Sequence, residues 1–119
     1  MKVTAGPNGV VLSPDETRLY MANTATGEVL VWDVAPDGAL GNLRTFAEGL
    51  FLPDGMCIDA AGNLYVATWA STVEVFDPSG AGWESLPIPR QATNCTFGGS
   101  DGRALYVTAH EGLYRYDLP

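Results

Sequence analysis

Leu64-Tyr65-Val66-Ala67 decides the fold, because the chain writes it two more times, as Leu19-Tyr20-Met21-Ala22 and as Leu105-Tyr106-Val107-Thr108. Two other landmarks keep step with it. Pro7-Asn8-Gly9, Pro53-Asp54-Gly55 and Thr93-Asn94-Cys95 come before, and Val31-Trp32-Asp33, Val75-Phe76-Asp77 and Arg115-Tyr116-Asp117 come after. Three landmarks in fixed order, recurring at about 40–45 residues, mark the blades of a β-propeller.

Between the landmarks, short apolar runs alternate with turn signals. Pro14-Asp15, Pro36-Asp37-Gly38, Ala61-Gly62, Pro78-Ser79-Gly80 and Asp101-Gly102 all carry residues that set or tolerate turn dihedrals. The runs predict strands at 9–13, 18–22, 28–34 and 43–47 in the first repeat. In the second they fall at 55–59, 63–68, 72–76 and 83–86, and in the third at 95–97, 104–108 and 113–117. No helical period of useful length occurs. The predicted fold is all-β: about three four-stranded propeller blades, half of a six-bladed ring, the last lacking its outer strand. Residues 1–119 form one domain, with blades at approximately 6–50, 51–90 and 91–119.

Closed propellers have roughly four to eight blades, so three make an open arc. Each end would leave an apolar sheet face uncovered, which marks an association surface. Two copies paired about a two-fold axis would close a six-bladed ring. The other solution is that the chain is a piece of a longer protein.

Composition narrows the function. The net charge of −8, with no basic stripe, argues against a nucleic-acid partner. No apolar run approaches the roughly 18 residues that span a bilayer, and Met1-Lys2-Val3-Thr4 opens no apolar leader, so no membrane partner is expected. The two cysteines, Cys57 and Cys95, sit at different offsets in their repeats and read as small buried hydrophobes rather than a disulfide framework. A cytoplasmic location is expected.

The chemistry concentrates at one repeat position. Asn8, Asp54 and Asn94 each stand just before the first predicted strand of a blade, and in a propeller that strand lines the central channel. Repetition brings three oxygen-bearing side chains to one ring. A hard cation such as Ca²⁺ takes six to eight oxygens from carboxylates, amide carbonyls and water, so Asp with Asn suits it. Zinc is disfavoured, because His and Cys at ligand spacing are absent. Pro-Asn-Gly and Pro-Asp-Gly are also ordinary turn tripeptides, and that reading stays open. Asn94 serves either as a channel hydrogen-bonding residue or as a substrate contact. Trp32, Phe76 and Tyr116 should pack between blades, while Asp33, Asp77 and Asp117 should serve the turns after their strands. His110 lies in a loop with no nucleophile or carboxylate partner in sequence.

Three stretches carry a family resemblance. They are Gly6-Pro7-Asn8-Gly9 with Leu12-Ser13-Pro14-Asp15-Glu16, Leu52-Pro53-Asp54-Gly55-Met56 with Asp59 and Gly62-Asn63-Leu64, and Thr93-Asn94-Cys95-Thr96-Phe97-Gly98-Gly99. Together with the ending Gly112-Leu113-Tyr114-Arg115-Tyr116-Asp117, they resemble the last three blades of the gluconolactonase / senescence-marker-protein (regucalcin-like) family of six-bladed propellers. The resemblance implies a divalent metal, most simply Ca²⁺, with Asn8 and Asp54 as ligands. It implies Asp54 as general base in hydrolysis of small or sugar lactones, with Asn94 toward the substrate. The family also takes a carboxylate from near its N-terminus and an Asn from its first half, and neither region is present here. The expected activity is therefore a metal-dependent lactonase completed by a homodimer or a complementary half-propeller. The alternative is a non-catalytic binding or scaffold half-propeller, or a truncated remnant, without metal.

Overall fold

The computed structural model describes residues 6–119. Eleven strands run in chain order: β1(Pro7–Leu12), β2(Arg18–Asn23), β3(Glu28–Val34), β4(Leu40–Ala47), β5(Pro53–Ile58), β6(Leu64–Thr68), β7(Thr72–Phe76), β8(Gly82–Pro87), β9(Ala92–Gly98), β10(Ala104–Ala109) and β11(Gly112–Asp117). They form three antiparallel meanders, β1-β2-β3-β4, β5-β6-β7-β8 and β9-β10-β11. The described residues contain no helix, and so none long and apolar enough to cross a membrane.

Turn chemistry stops each strand. Asp15 Oδ1 accepts the Thr17 N–H at 3.1 Å and the Thr17 hydroxyl at 2.8 Å. Asp77 Oδ1 accepts from the N–H groups of Ser79 at 2.8 Å and Ala81 at 3.2 Å, and Asp59 Oδ1 does the same for Ala61 and Asn63. Asp77 thus serves its turn as expected. Asp33 and Asp117 do not. Asp33 reaches across to β4, accepting from Asn42 at 3.0 Å and from Arg44 at 2.9 Å, and Asp117 pairs with Arg115 Nε at 2.7 Å. Each has a donor on its own sheet in reach, so neither needs the turn.

The sheets pack face to face in sequence order around two cores. The first joins Tyr20, Ala22, Val29 and Val31 of the first sheet to Met56, Leu64, Val66 and Phe76 of the second. The second joins Cys57, Tyr65, Val73, Val75 and Leu86 to Cys95, Leu105, Val107 and Ala109 of the third. Strand alternation makes this possible. In Leu64-Tyr65-Val66-Ala67, Leu and Val point to the preceding sheet while Tyr and Ala point to the following one. Edge-to-face aromatic pairs reinforce both cores: Tyr20–Phe46 at 5.0 Å, Phe46–Phe76 at 6.1 Å and Tyr65–Phe97 at 4.9 Å.

Phe76 and Tyr116 pack between sheets as expected, but Trp32 does not. Trp32 pairs with Leu19 and points away from the second sheet. It belongs with Val10, Leu12, Met21 and Leu30 on the outer face of the first sheet, where Trp32 and Met21 are buried while Val10 is 62% exposed. Residue for residue, this face repeats the one by which Met56, Leu64, Val66 and Phe76 cover the first sheet. Among the described residues no sheet covers it. At the other end, Tyr106 points away from the second sheet, with the Arg115 guanidinium 5.9 Å from its ring centre.

Candidate functional site

The three predicted site residues lie within β1, β5 and β9, not ahead of them as the sequence suggests. The reason is a break in register in each strand. Pro7 pairs with Asn23 but Val10 with Met21, so Asn8 and Gly9 together face the single residue Ala22. Pro53 pairs with Thr68 but Met56 with Val66, setting Asp54 and Gly55 against Ala67. In β9 the extra residue is Thr93, between the pairs Ala92–Ala109 and Asn94–Thr108. Such bulges bend a strand and re-aim its side chains. A strand continues through them here because Pro7 and Pro53 occupy first positions, where no ladder N–H is needed.

The bulges bring the three residues side by side. A Cβ on Gly9 would collide with the carbonyl oxygen of Asp54, and the Gly55 Cα would lie 3.1 Å from that same Cβ. A Cβ on Gly55 would collide with the Asn94 side chain and come within 2.7 Å of its Cα. The glycines let β1 approach β5, and β5 approach β9, more closely than any side chain allows. Asn8 and Asp54 therefore hold equivalent places on the inner rim, but Asn94 does not share them: by register Thr93 is their counterpart in β9, and Asn94 stands where the other two sheets have Gly9 and Gly55.

Each has a distinct set of partners. Asn8 is exposed; its Nδ2 donates to Thr24 Oγ1 at 3.2 Å, and that hydroxyl donates to the Pro53 carbonyl at 2.7 Å. This chain ties the first rim residue to the second inner strand and turns the Asn8 carbonyl the other way. Asp54 is half-buried, and its Oδ2 accepts the indole Nε1–H of Trp69 at 3.2 Å. Asn94 is exposed, and its Oδ1 accepts the N–H of Cys95 at 2.9 Å. Asn8 Oδ1 and Asp54 Oδ1 make no hydrogen bond to another described residue. One amide oxygen and one carboxylate oxygen are thus without a partner among the described residues.

That pair is chemically right for a hard divalent cation, and the sheets supply only part of the six to eight oxygens Ca²⁺ takes. Among the described residues no three His, Cys, Asp or Glu side chains cluster around a common point. His110 is exposed in the β10–β11 turn and makes no side-chain hydrogen bond among the described residues. An open cleft of about 460 Å³ lies at the far end of the sheets, between Ser13–Arg18 and Ala60–Gly62, and contains no rim residue.

Two features escape a reading of the sequence. Trp69 is one. It stands five positions after the Leu of its landmark, where Thr24 stands after Leu19, and both hold the rim residue of their own sheet. The equivalence was the available signal. The cysteines are the other. Both are free and buried, as expected, but their sulfurs lie 2.8 Å apart, directly beneath the rim. Their unequal repeat offsets conceal this, because β5 and β9 pack with a stagger.

The chain has clear relatives. Residues 2–111 match the family model described as the SMP-30/Gluconolactonase/LRE-like region. A gluconolactonase of Zymomonas mobilis is 36% identical over 122 residues, which are 92% of this chain and 34% of that protein. The structure superposes on a Xanthomonas campestris gluconolactonase with a TM-score of 0.89 at 36% identity, covering 100% of this chain and 40% of the other. It superposes on a calcium-binding protein, regucalcin, from Agrobacterium tumefaciens with a TM-score of 0.78 at 26% identity, covering 90% of this chain and 40% of that one. The chain thus spans between a third and two fifths of the length of these relatives. Its sheets share the gluconolactonase β-propeller fold, and the chain belongs to the SMP-30/Gluconolactonase/LRE-like family.

Proposed function

We propose that this chain is half of a six-bladed propeller whose completed channel hydrolyses small or sugar lactones with the help of a divalent cation of the Ca²⁺ kind. The observation that carries the reading is the shared rim. A carboxylate with one free oxygen stands beside an amide oxygen at the inner edge of sheets that match a gluconolactonase closely.

The roles divide by chemistry. Asn8 and Asp54 are the ligands that this chain would give the metal, which when bound polarises the lactone carbonyl and orients the ring. Asp54 also acts as general base. It removes a proton from water as the water oxygen bonds to the lactone carbonyl carbon. The ring C–O bond then breaks, the proton passes to the departing alkoxide, and a hydroxy acid leaves. Asn94, on the neighbouring inner strand, donates or accepts to the substrate's hydroxyl groups.

The remaining ligands and the missing wall come from a second half-propeller, in a homodimer or a complementary set of blades. The repeat supports this. The Val10, Leu19, Met21 and Trp32 face is the counterpart of a face that elsewhere in the molecule packs on a sheet. The Val10→Asp variant should therefore lower the mass seen by light scattering without unfolding the sheets; an unchanged mass would remove the partner half from the account.

The deciding assay is hydrolysis of a panel of sugar lactones with Ca²⁺ or with chelator, for wild type and Asp54→Asn. Loss of at least about a hundredfold in the variant is expected for a missing base. Unchanged turnover would remove Asp54 from the mechanism. The competing reading, a binding or scaffold half-propeller without metal, draws on the small donor set. It predicts no calcium effect at all.

A further inference from the structure

We propose that Trp69 fixes the aim of Asp54 and selects the substrate's ring, making this rim specific for small cyclic esters with an apolar C–H face. The inference deepens the lactonase reading above and rests on it.

The aim comes from the indole N–H. It donates to Asp54 Oδ2 at 3.2 Å, and no other side-chain donor reaches that carboxylate among the described residues. One oxygen is held and the other is left to work. Trp69 can do this because its own turn is anchored. Its backbone N–H donates to the Phe51 carbonyl at 3.2 Å. Behind it, Thr68 Oγ1 accepts the Ala70 N–H at 3.3 Å and shares a 2.7 Å hydrogen bond with Thr72 Oγ1. A donor on an anchored turn holds a carboxylate to one rotamer, and small errors in placement are costly to rate.

The selection comes from the rest of the side chain. In the first repeat a plain hydroxyl, that of Thr24, holds Asn8. The hydrogen bond alone does not call for a tryptophan. Trp69, whose indole N–H meets the rim acid, is 38% exposed, so a large apolar ring stands in the open beside Asp54. Large aromatic residues usually bury. Binding sites keep such surfaces to take up the apolar face of a ligand, while a few polar groups orient it. A sugar lactone offers both: a ring face of C–H groups and an edge of hydroxyls around the ester.

Two variants separate the roles. Trp69→Phe keeps an aromatic ring and loses the N–H; kcat should fall about tenfold, one hydrogen bond's worth, with KM within about twofold. Trp69→Gln keeps an N–H donor and loses the ring; KM should rise about tenfold while kcat changes little. A second readout needs no turnover. A lactam analogue of the sugar lactone, which is not hydrolysed, should shift the Trp69 indole N–H resonance, identified by its absence in Trp69→Phe. Its affinity by calorimetry should drop about tenfold in Trp69→Gln. Both experiments use the protein in its complete assembly. If wild type hydrolyses lactones and both variants keep their kcat and KM, or both lose kcat alike with KM fixed, the proposal for Trp69 falls and the lactonase reading stands. If wild type hydrolyses nothing while the lactam still moves the Trp69 resonance, the lactonase reading falls and the binding role of Trp69 survives. No response of Trp69 to the lactam overturns the proposal outright.

Discussion

The α-carbon of Gly9 rests against the backbone carbonyl of Asp54, with no room for even a methyl group between them. At Gly55 the space a methyl would need is taken instead by the Asn94 side chain and α-carbon. These two approaches set the spacing of the inner strands, and hence of the rim oxygens. Fold and site are coupled through them.

Gly9→Ala and Gly55→Ala should therefore each destabilise the protein by about 1–3 kcal/mol, as overpacking does. Urea unfolding measures this. Gly41→Ala is the control: nothing lies within 4 Å of a Cβ there, and its cost should stay within about 0.5 kcal/mol. Gly55→Ala should also displace Asn94, since its methyl points at that side chain.

Beneath the rim, the Cys57 and Cys95 sulfurs share a 2.8 Å contact, and Cys95 Sγ also lies 3.7 Å from the Tyr65 carbonyl. The hydrogen bond to Cys95, together with burial, pushes the Cys57 thiol well above its usual range. Both thiols should stay unreactive toward an aromatic disulfide reagent in the folded protein at neutral pH. They should react promptly once urea unfolds it. Fast labelling of the native protein would mean the second and third sheets separate readily.

The repeat made the architecture legible. Leu19, Leu64 and Leu105 recur in step, and each lies in the second strand of its sheet. The repeat also singled out Asn8 and Asp54, which share one register place, but it set Asn94 beside them where the pairing puts Thr93. What it could not reveal was tertiary. A bulge shows in pairing register, not in composition, so the inner strands begin at Pro7, Pro53 and Ala92 rather than after the polar residue. The Cys57–Cys95 contact depends on how two strands stagger. Trp69 lies between two predicted strands, and its hold on Asp54 exists only in the folded chain.

Acid should loosen two turns and the link between β3 and β4. Asp15 is held below its ordinary 3.8 by hydrogen bonds from Ser13 and Thr17, Asp77 by those from Ser79, and Asp33 by those from Asn42 and Arg44. All three are depressed in the folded state. Their contribution is thus present above about pH 4 and is lost as pH falls through the lowered values. Thermal unfolding followed from pH 7 to pH 2 should show a flat region and then a falling Tm. Asp77→Asn, which keeps a turn-capping oxygen but cannot ionise, should start lower and fall less steeply.

The central claim is that the rim formed by β1 and β5 offers its free oxygens to a divalent cation. Calorimetric titration of the fully assembled protein with CaCl₂ tests it most directly, for wild type, Asn8→Ala and Asp54→Asn. The account predicts a saturable heat in wild type that weakens at least about tenfold in either variant. Equal heats in all three, or none in wild type, would contradict it.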